Sequence, residues 1–129
     1  EQSLKVYQLA PELMQSVSAR SQKELDRLLS SGIPTKNMLA FTGTRLSSDT
    51  LYNNIHLKGI RTILGTLGNL DNRAKARRDY LYNEWKEKGI DIIATDRPFE
   101  VAQIIKAIKN SNESNLNNKN YYNFSLQVN

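Results

Sequence analysis

The chain contains no cysteine. Disulfides and thiolate metal sites are therefore excluded. It has one histidine, His56, so any chemistry that needs a histidine pair cannot be assembled from these residues alone. No apolar run approaches the roughly 18 residues of a membrane span. No basic segment followed by an apolar one opens the chain, so no signal peptide is visible. Only three prolines and six glycines punctuate it, and the glycines do not cluster into a phosphate-cradling loop of the nucleotide-binding kind.

What is present fits one domain, or part of a larger one: 129 residues, 39% apolar and 24% charged. A net charge of +5 favours anionic partners in general. The basic residues are scattered, apart from Arg73, Lys75, Arg77 and Arg78. These share a polar helix with Asp79 and Glu84 and read as a solvated face, not a nucleic-acid surface. Tyr80, Tyr82 and Trp85 lack the basic groove that a base-stacking platform needs.

Apolar strands alternate with helical patterns along the chain. Glu1–Ala10 reads as a helix with Leu4, Val6, Tyr7 and Leu9 partly amphipathic, ended by Pro11. Leu13–Ala19 reads as a strand. Residues 21–32 follow as a helix, with a capping box at Ser21 and Glu24, an apolar stripe of Leu25, Leu28 and Leu29, and a stop at Gly32. The unit recurs as strand Asn37–Gly43 and a helix carrying Leu51, Tyr52 and Ile55 up to Gly59. It recurs again as strand Ile60–Gly68 and a helix from about Ala74, with Tyr80, Leu81 and Trp85 inward, up to Gly89. The fourth unit is strand Ile90–Thr95 and a helix over 98–108 with Val101, Ile104, Ile105 and Ile108 inward. Short connections and strand–helix alternation predict an α/β fold with a parallel sheet.

Beyond Ile108 the composition changes. Eight of the last twenty residues are asparagine, so the domain is placed at 1–109, with 110–129 as an Asn-rich linker and tail. Within the tail, Tyr122, Phe124, Leu126 and Val128 have some strand character. The helix-like start at Glu1, without an initiator methionine, leads to the expectation that something upstream has been removed.

A four-stranded parallel sheet is either an open doubly wound sheet or half of a (β/α)8 TIM barrel. "KGIDIIATDRPFEV" (88–101) resembles the last strand and following helix of the glycerophosphodiester phosphodiesterase family, a TIM barrel. "LYNNIHLKGI" is similar to the helix before the family's seventh strand, and "MLAFTGTR" and "MQSVSAR" to its sixth and fifth strands. The resemblance runs from about Leu13 to Ile108. It implies half of a (β/α)8 barrel, made of four parallel β/α units. It also implies a hydrolase that cleaves glycerophosphodiesters to an alcohol and glycerol 3-phosphate with Ca2+ or Mg2+, in phospholipid metabolism.

The family's His-Arg-Gly motif, its second histidine and its metal-holding Glu and Asp have no matching positions in this chain. No catalytic or metal residue is carried over. The expectation is a chain inactive by itself, either a fragment or a truncated relative, holding no cation of its own. Its partners would be the missing N-terminal half or a second copy, and a small glycerophosphodiester; no nucleic acid is expected. The alternative is a non-catalytic half-barrel that binds or scaffolds and self-associates, and an independent flavodoxin-like domain ranks last.

In a barrel, ligands meet the C-terminal ends of the strands. These ends carry Ser18, Arg20, Thr42, Thr44, Thr66, Thr95 and Asp96, the expected substrate-binding set of hydroxyls, an arginine and a carboxylate. Gly65 and Gly68 read either as part of a phosphate wall or as ordinary turn residues. Asp96 reads either as a cap or partner of Arg97 or Arg20, or as pocket floor. Asp71, Asp79 and Asp91 belong to loops or helix surfaces, with Asp71 a possible cap; Trp85 packs, and His56 has no ligand role.

Overall fold

Pro11 and the hydrophobic spacing that follows it set the frame in a computed structural model, which describes the backbone of residues 1–127 and the side chains of residues 1–116. The elements run α1 (Gln2–Leu9), β1 (Gln15–Ser18), α2 (Gln22–Leu29), a 3-10 turn (Thr35–Asn37), β2 (Met38–Phe41) and α3 (Asp49–Leu57). They continue as β3 (Arg61–Gly65), α4 (Asn69–Ala76), α5 (Tyr80–Lys88), β4 (Ile92–Ala94) and α6 (Pro98–Gln127). They fall into two compact units that divide after Asp96.

The four strands form one parallel sheet in the order β1-β2-β3-β4. There is no point at which the strand order reverses, so this is the arc of half a barrel and not a doubly wound sheet. Strand alternation explains which face is covered. Val17, Met38, Ala40, Thr62 and Leu64 share one face by register and are buried. There Val17, Ala19, Met38 and Ala40 pack with Leu25 and Leu28 of α2 and Leu51 and Ile55 of α3. Each buried Val, Leu, Ile or Met side chain among them contributes roughly 1.5–3 kcal/mol. The other face shows Ser16, Ser18, Leu39, Phe41, Ile63 and Ile92, all exposed or half-buried. It is the face that a closed barrel turns inward.

Caps and stops follow the sequence closely at α2. Ser21 Oγ accepts from the Glu24 N–H, while the Glu24 carboxylate reaches past Ser21 to the Arg20 N–H at 2.7 Å. Gly32, Gly59 and Gly89 end helices with positive φ. At Gly89 a Cβ would stand 3.0 Å from Tyr52 Cβ, so both conformation and space demand glycine there. In α1, Leu4 and Tyr7 pack against the core, whereas Val6 and Leu9 are exposed. The Asn37 amide donates to the Pro11 and Leu13 carbonyls at 2.7 and 3.0 Å, tying the approach to β1 to the start of β2.

Two expectations change. The single helix expected from Ala74 is two helices, with Arg78 and Asp79 in the left-handed region between them. This break resets the helical phase, so Tyr82 and Trp85 are buried while Tyr80 is exposed. Tyr82 and Trp85 meet edge to face, with centroids 5.4 Å apart. In the second unit, α6 begins at Pro98, whose fixed φ suits a first helical position, and Arg97 pairs with Glu100 at 3.7 Å. The helix continues through residues 110–120, where a linker is expected, because no glycine or proline follows Pro98 to stop it. Tyr122, Phe124 and Leu126, read as having some strand character, lie on this helix instead, and Val128 lies outside the described residues. Among the described residues no helix is long and apolar enough to cross a membrane.

Candidate functional site

The C-terminal ends of the strands are built by extending the sheet one residue past each pairing. The Ala19, Thr42 and Thr66 N–H groups donate to the carbonyls of Phe41, Ile63 and Ala94 at 2.9 Å each. Beyond these last rungs the chain turns out into loops, and there the expected site residues separate into three groups.

At the end of β1, Ser18 Oγ donates to the Glu24 carboxylate at 2.9 Å and the Arg20 guanidinium donates to it at 3.2 Å. Hydrogen bonds from the Arg20 N–H first, then from its guanidinium and from Ser18, hold the Glu24 carboxyl down at about 2. Ser18 and Arg20 are therefore already engaged with a carboxylate of their own helix entry.

At the end of β2, Thr42 is buried and its hydroxyl donates to the Ile63 carbonyl at 3.0 Å. Thr44 and Arg45 are exposed. Arg20, Thr42 and Thr44 line a cleft of about 700 Å3 together with Arg45, Ser47 and Asn54. A second cleft, of about 860 Å3, opens on the other side of Thr44 and Arg45 and reaches Asn69, Asn72 and Arg73 on α4.

At the ends of β3 and β4 the site turns inward on Asp71, a residue expected at the surface. Asp71 is 4% exposed. Its carboxylate accepts from the Tyr82 hydroxyl at 2.8 Å, the Thr95 hydroxyl at 2.8 Å and the Asp96 N–H at 3.2 Å. Burial alone would raise its pKa, but these donors and the Thr66 hydroxyl outweigh it and keep the group below the usual carboxylate range. Thr95 thus serves a buried carboxylate, while the Thr66 hydroxyl beside it donates to the Ala94 carbonyl at 3.2 Å. The sequence carries no local sign of this, because the role of Asp71 arises only when α4 starts at Asn69, five residues before the expected helix. Asp96 is exposed, and its backbone N–H is what joins the Asp71 cluster.

At the opposite ends of the strands, Asp91 is also more than a surface residue. Its carboxylate accepts from the Thr62 N–H at 2.8 Å and lies 2.8 Å from His56 Nε2. Burial would raise this carboxyl, and the Thr62 N–H and His56 together outweigh it and lower it. His56 therefore has a structural partner at the end of the sheet away from the clefts.

The strand order, the single covered face and the loops at the C-terminal ends together define the comparison. The chain has the fold of part of a phosphodiesterase. It is similar to the crystal structure of a glycerophosphoryl diester phosphodiesterase from Parabacteroides distasonis, with a TM-score of 0.67 and 23% sequence identity. The likeness covers 82% of this chain and 38% of that enzyme, so the chain spans well under two thirds of the enzyme's length. No family model matches the chain, and no curated protein matches it by sequence. Among the described residues no three His, Asp or Glu side chains stand together as a metal site. The donor set of the described residues does not fit a catalytic divalent cation.

Proposed function

We propose that the chain is the second half of a glycerophosphodiester phosphodiesterase barrel. In that assembly the whole enzyme hydrolyses glycerophosphodiesters to an alcohol and glycerol 3-phosphate, with Ca2+ or Mg2+ held by the other half. The observation that carries this reading is the sequential parallel arc, covered by helices on one face and matching 38% of a known phosphodiesterase. The uncovered face supports it, because Leu39, Phe41, Ile63 and Ile92 are the apolar residues that four further strands would bury. In the assembled barrel this half contributes the cleft wall of Arg20, Thr42 and Thr44. Thr66 and Thr95 act on substrate only indirectly, Thr66 by donating to the Ala94 carbonyl and Thr95 by holding Asp71, and together they set the spacing of the β3 and β4 ends.

The same open face also favours a second reading, a non-catalytic half-barrel in which two copies cover each other. One experiment separates the two. Release of glycerol 3-phosphate from glycerophosphocholine is measured for the pure chain and for the chain co-purified with the N-terminal half of the Parabacteroides enzyme. The expected result is no turnover alone, with turnover that a chelator abolishes in the mixed complex. Hydrolysis by the pure chain would overturn the division of labour. A stable homodimer that refuses the N-terminal half would favour the scaffold.

A further inference from the structure

The cleft of about 860 Å3 between the β2–α3 loop and α4 is not absorbed by the proposed function, and its chemistry is one-sided. Its ionisable lining residues are Arg45 and Arg73, and no acidic residue lines it. Neither arginine makes an ion pair or hydrogen bond among the described residues. The nearest acid in sequence, Asp71, is buried and its carboxylate accepts from Thr95, Tyr82 and the Asp96 N–H, and it does not line this cleft. Asn69, Asn72 and Thr44 add neutral hydrogen-bonding groups on the same walls.

Two arginines lining one concave surface, with amides beside them and no carboxylate, match a tetrahedral oxyanion. A guanidinium presents paired N–H donors at the spacing of two phosphate oxygens, and Asn supplies single donors to the remaining ones. We infer that this cleft is a binding site for a phosphate group, held by Arg45 and Arg73. It adjoins the cleft that Arg20 and Thr42 line, sharing Thr44 and Arg45 with it, and adds Arg73, Asn69 and Asn72 of its own; phosphate binding there does not require an active barrel. The phosphate can belong to a small soluble ester or to the headgroup of an anionic lipid. Leu67, 54% exposed on the cleft wall, is placed as a lipid-facing residue would be.

The test uses the 129-residue chain with three probes: inorganic phosphate, glycerol 3-phosphate, and vesicles of phosphatidylcholine with or without phosphatidylglycerol. Binding is followed by NMR shifts of the Asn72 and Arg73 amides for the soluble probes and by co-sedimentation for vesicles. The comparison chains are Arg45→Gln, Arg73→Gln and Arg61→Gln. Arg61 is exposed at the opposite end of β3 and removes the same charge away from the cleft. Arg45 and Arg73 are exposed too, so these substitutions leave the core intact.

The expected result is saturable binding that weakens about tenfold in each of Arg45→Gln and Arg73→Gln and is unchanged in Arg61→Gln. Binding of the two soluble probes identifies a free phosphate or phosphate ester as the ligand. Binding confined to vesicles containing phosphatidylglycerol, with the same dependence on Arg45 and Arg73, identifies a lipid headgroup. Absence of saturable binding to every probe overturns the site. So does an equal loss in Arg61→Gln, which would reduce the effect to net charge.

Discussion

The two ends of the β3–β4 pair are each closed by an aspartate, and the two closures differ in kind. At the C-terminal end Asp71 is buried and held by neutral donors, two hydroxyls and one backbone N–H. At the N-terminal end the Asp91 side chain is 35% exposed and is shared between the Thr62 N–H and an ionisable partner, His56. Both tie neighbouring strands together, but only the first does so out of reach of water. A buried carboxylate satisfied by fixed dipoles is costly to disturb, because each orphaned donor is left without solvent. A half-exposed pair is screened, and water replaces a lost partner. The end that carries the loops and clefts is therefore held by the stiffer joint.

The most severe way to break this comparison is Asp71→Asn. The amide would turn N–H groups toward hydroxyls and an N–H that already donate, and the expected loss is about 2–4 kcal/mol in urea-unfolding free energy. A loss no larger than that of Asp91→Asn would show that the two joints are equivalent.

Gly89→Ala comes next. It forces a side chain into φ +127° and against Tyr52, beside the carbonyl that accepts from the Thr62 hydroxyl at 2.5 Å. About 1–3 kcal/mol of stability is expected to go, read from the same unfolding curves.

Asp91→Asn keeps an acceptor for the Thr62 N–H and loses the charge beside His56. With both partners about one-third exposed, screening limits the expected cost to about 1 kcal/mol. The pH dependence sharpens the point. Both aspartates have folded-state pKa values below their unfolded ones, so their stabilisation is complete above an unfolded value of about 3.9 and is lost as pH falls through the folded values. Acid titration of the midpoint is expected to fall less steeply in Asp91→Asn than in the parent chain.

The smallest effect lies at the end of β1. Glu24 is expected to titrate at about 2 by carbon-detected NMR. Arg20→Gln moves that value up only part of the way, because the largest contribution comes from the Arg20 backbone N–H, which the substitution leaves in place. A full return to the ordinary value would show that the side chain alone holds it.

Much of this architecture was legible before any coordinates. The order of strands and helices follows from period-2 and period-3.6 spacing, and Gly32, Gly59 and Gly89 mark the helix ends where positive φ is then found. The half-barrel followed from the resemblance around "IDIIATDRP" and from the recurrence of the unit. The break between α4 and α5 was not legible. It rests on Arg78 and Asp79, which take left-handed φ without being glycine, and neither residue type announces a break. The shift from Tyr80 to Tyr82 as the buried tyrosine follows from that break alone.

The candidate site was legible as a set of strand ends and not as a set of roles. Ser18, Thr42, Thr66 and Thr95 were placed at the right ends of the sheet by chain order. Whether each hydroxyl faces a ligand or a neighbour depends on which partners lie across from it. Local pattern determined where this chain turns, which faces it buries and that its strands run in parallel, because those depend on residues a few positions apart. Only the tertiary structure decided that Thr66, Tyr82, Thr95 and Asp96 meet at Asp71, and that Arg45 and Arg73 share an acid-free cleft. Those groups lie up to some thirty residues apart in the chain. Desolvation and hydrogen-bond geometry, which set their roles, exist only once the strands are side by side.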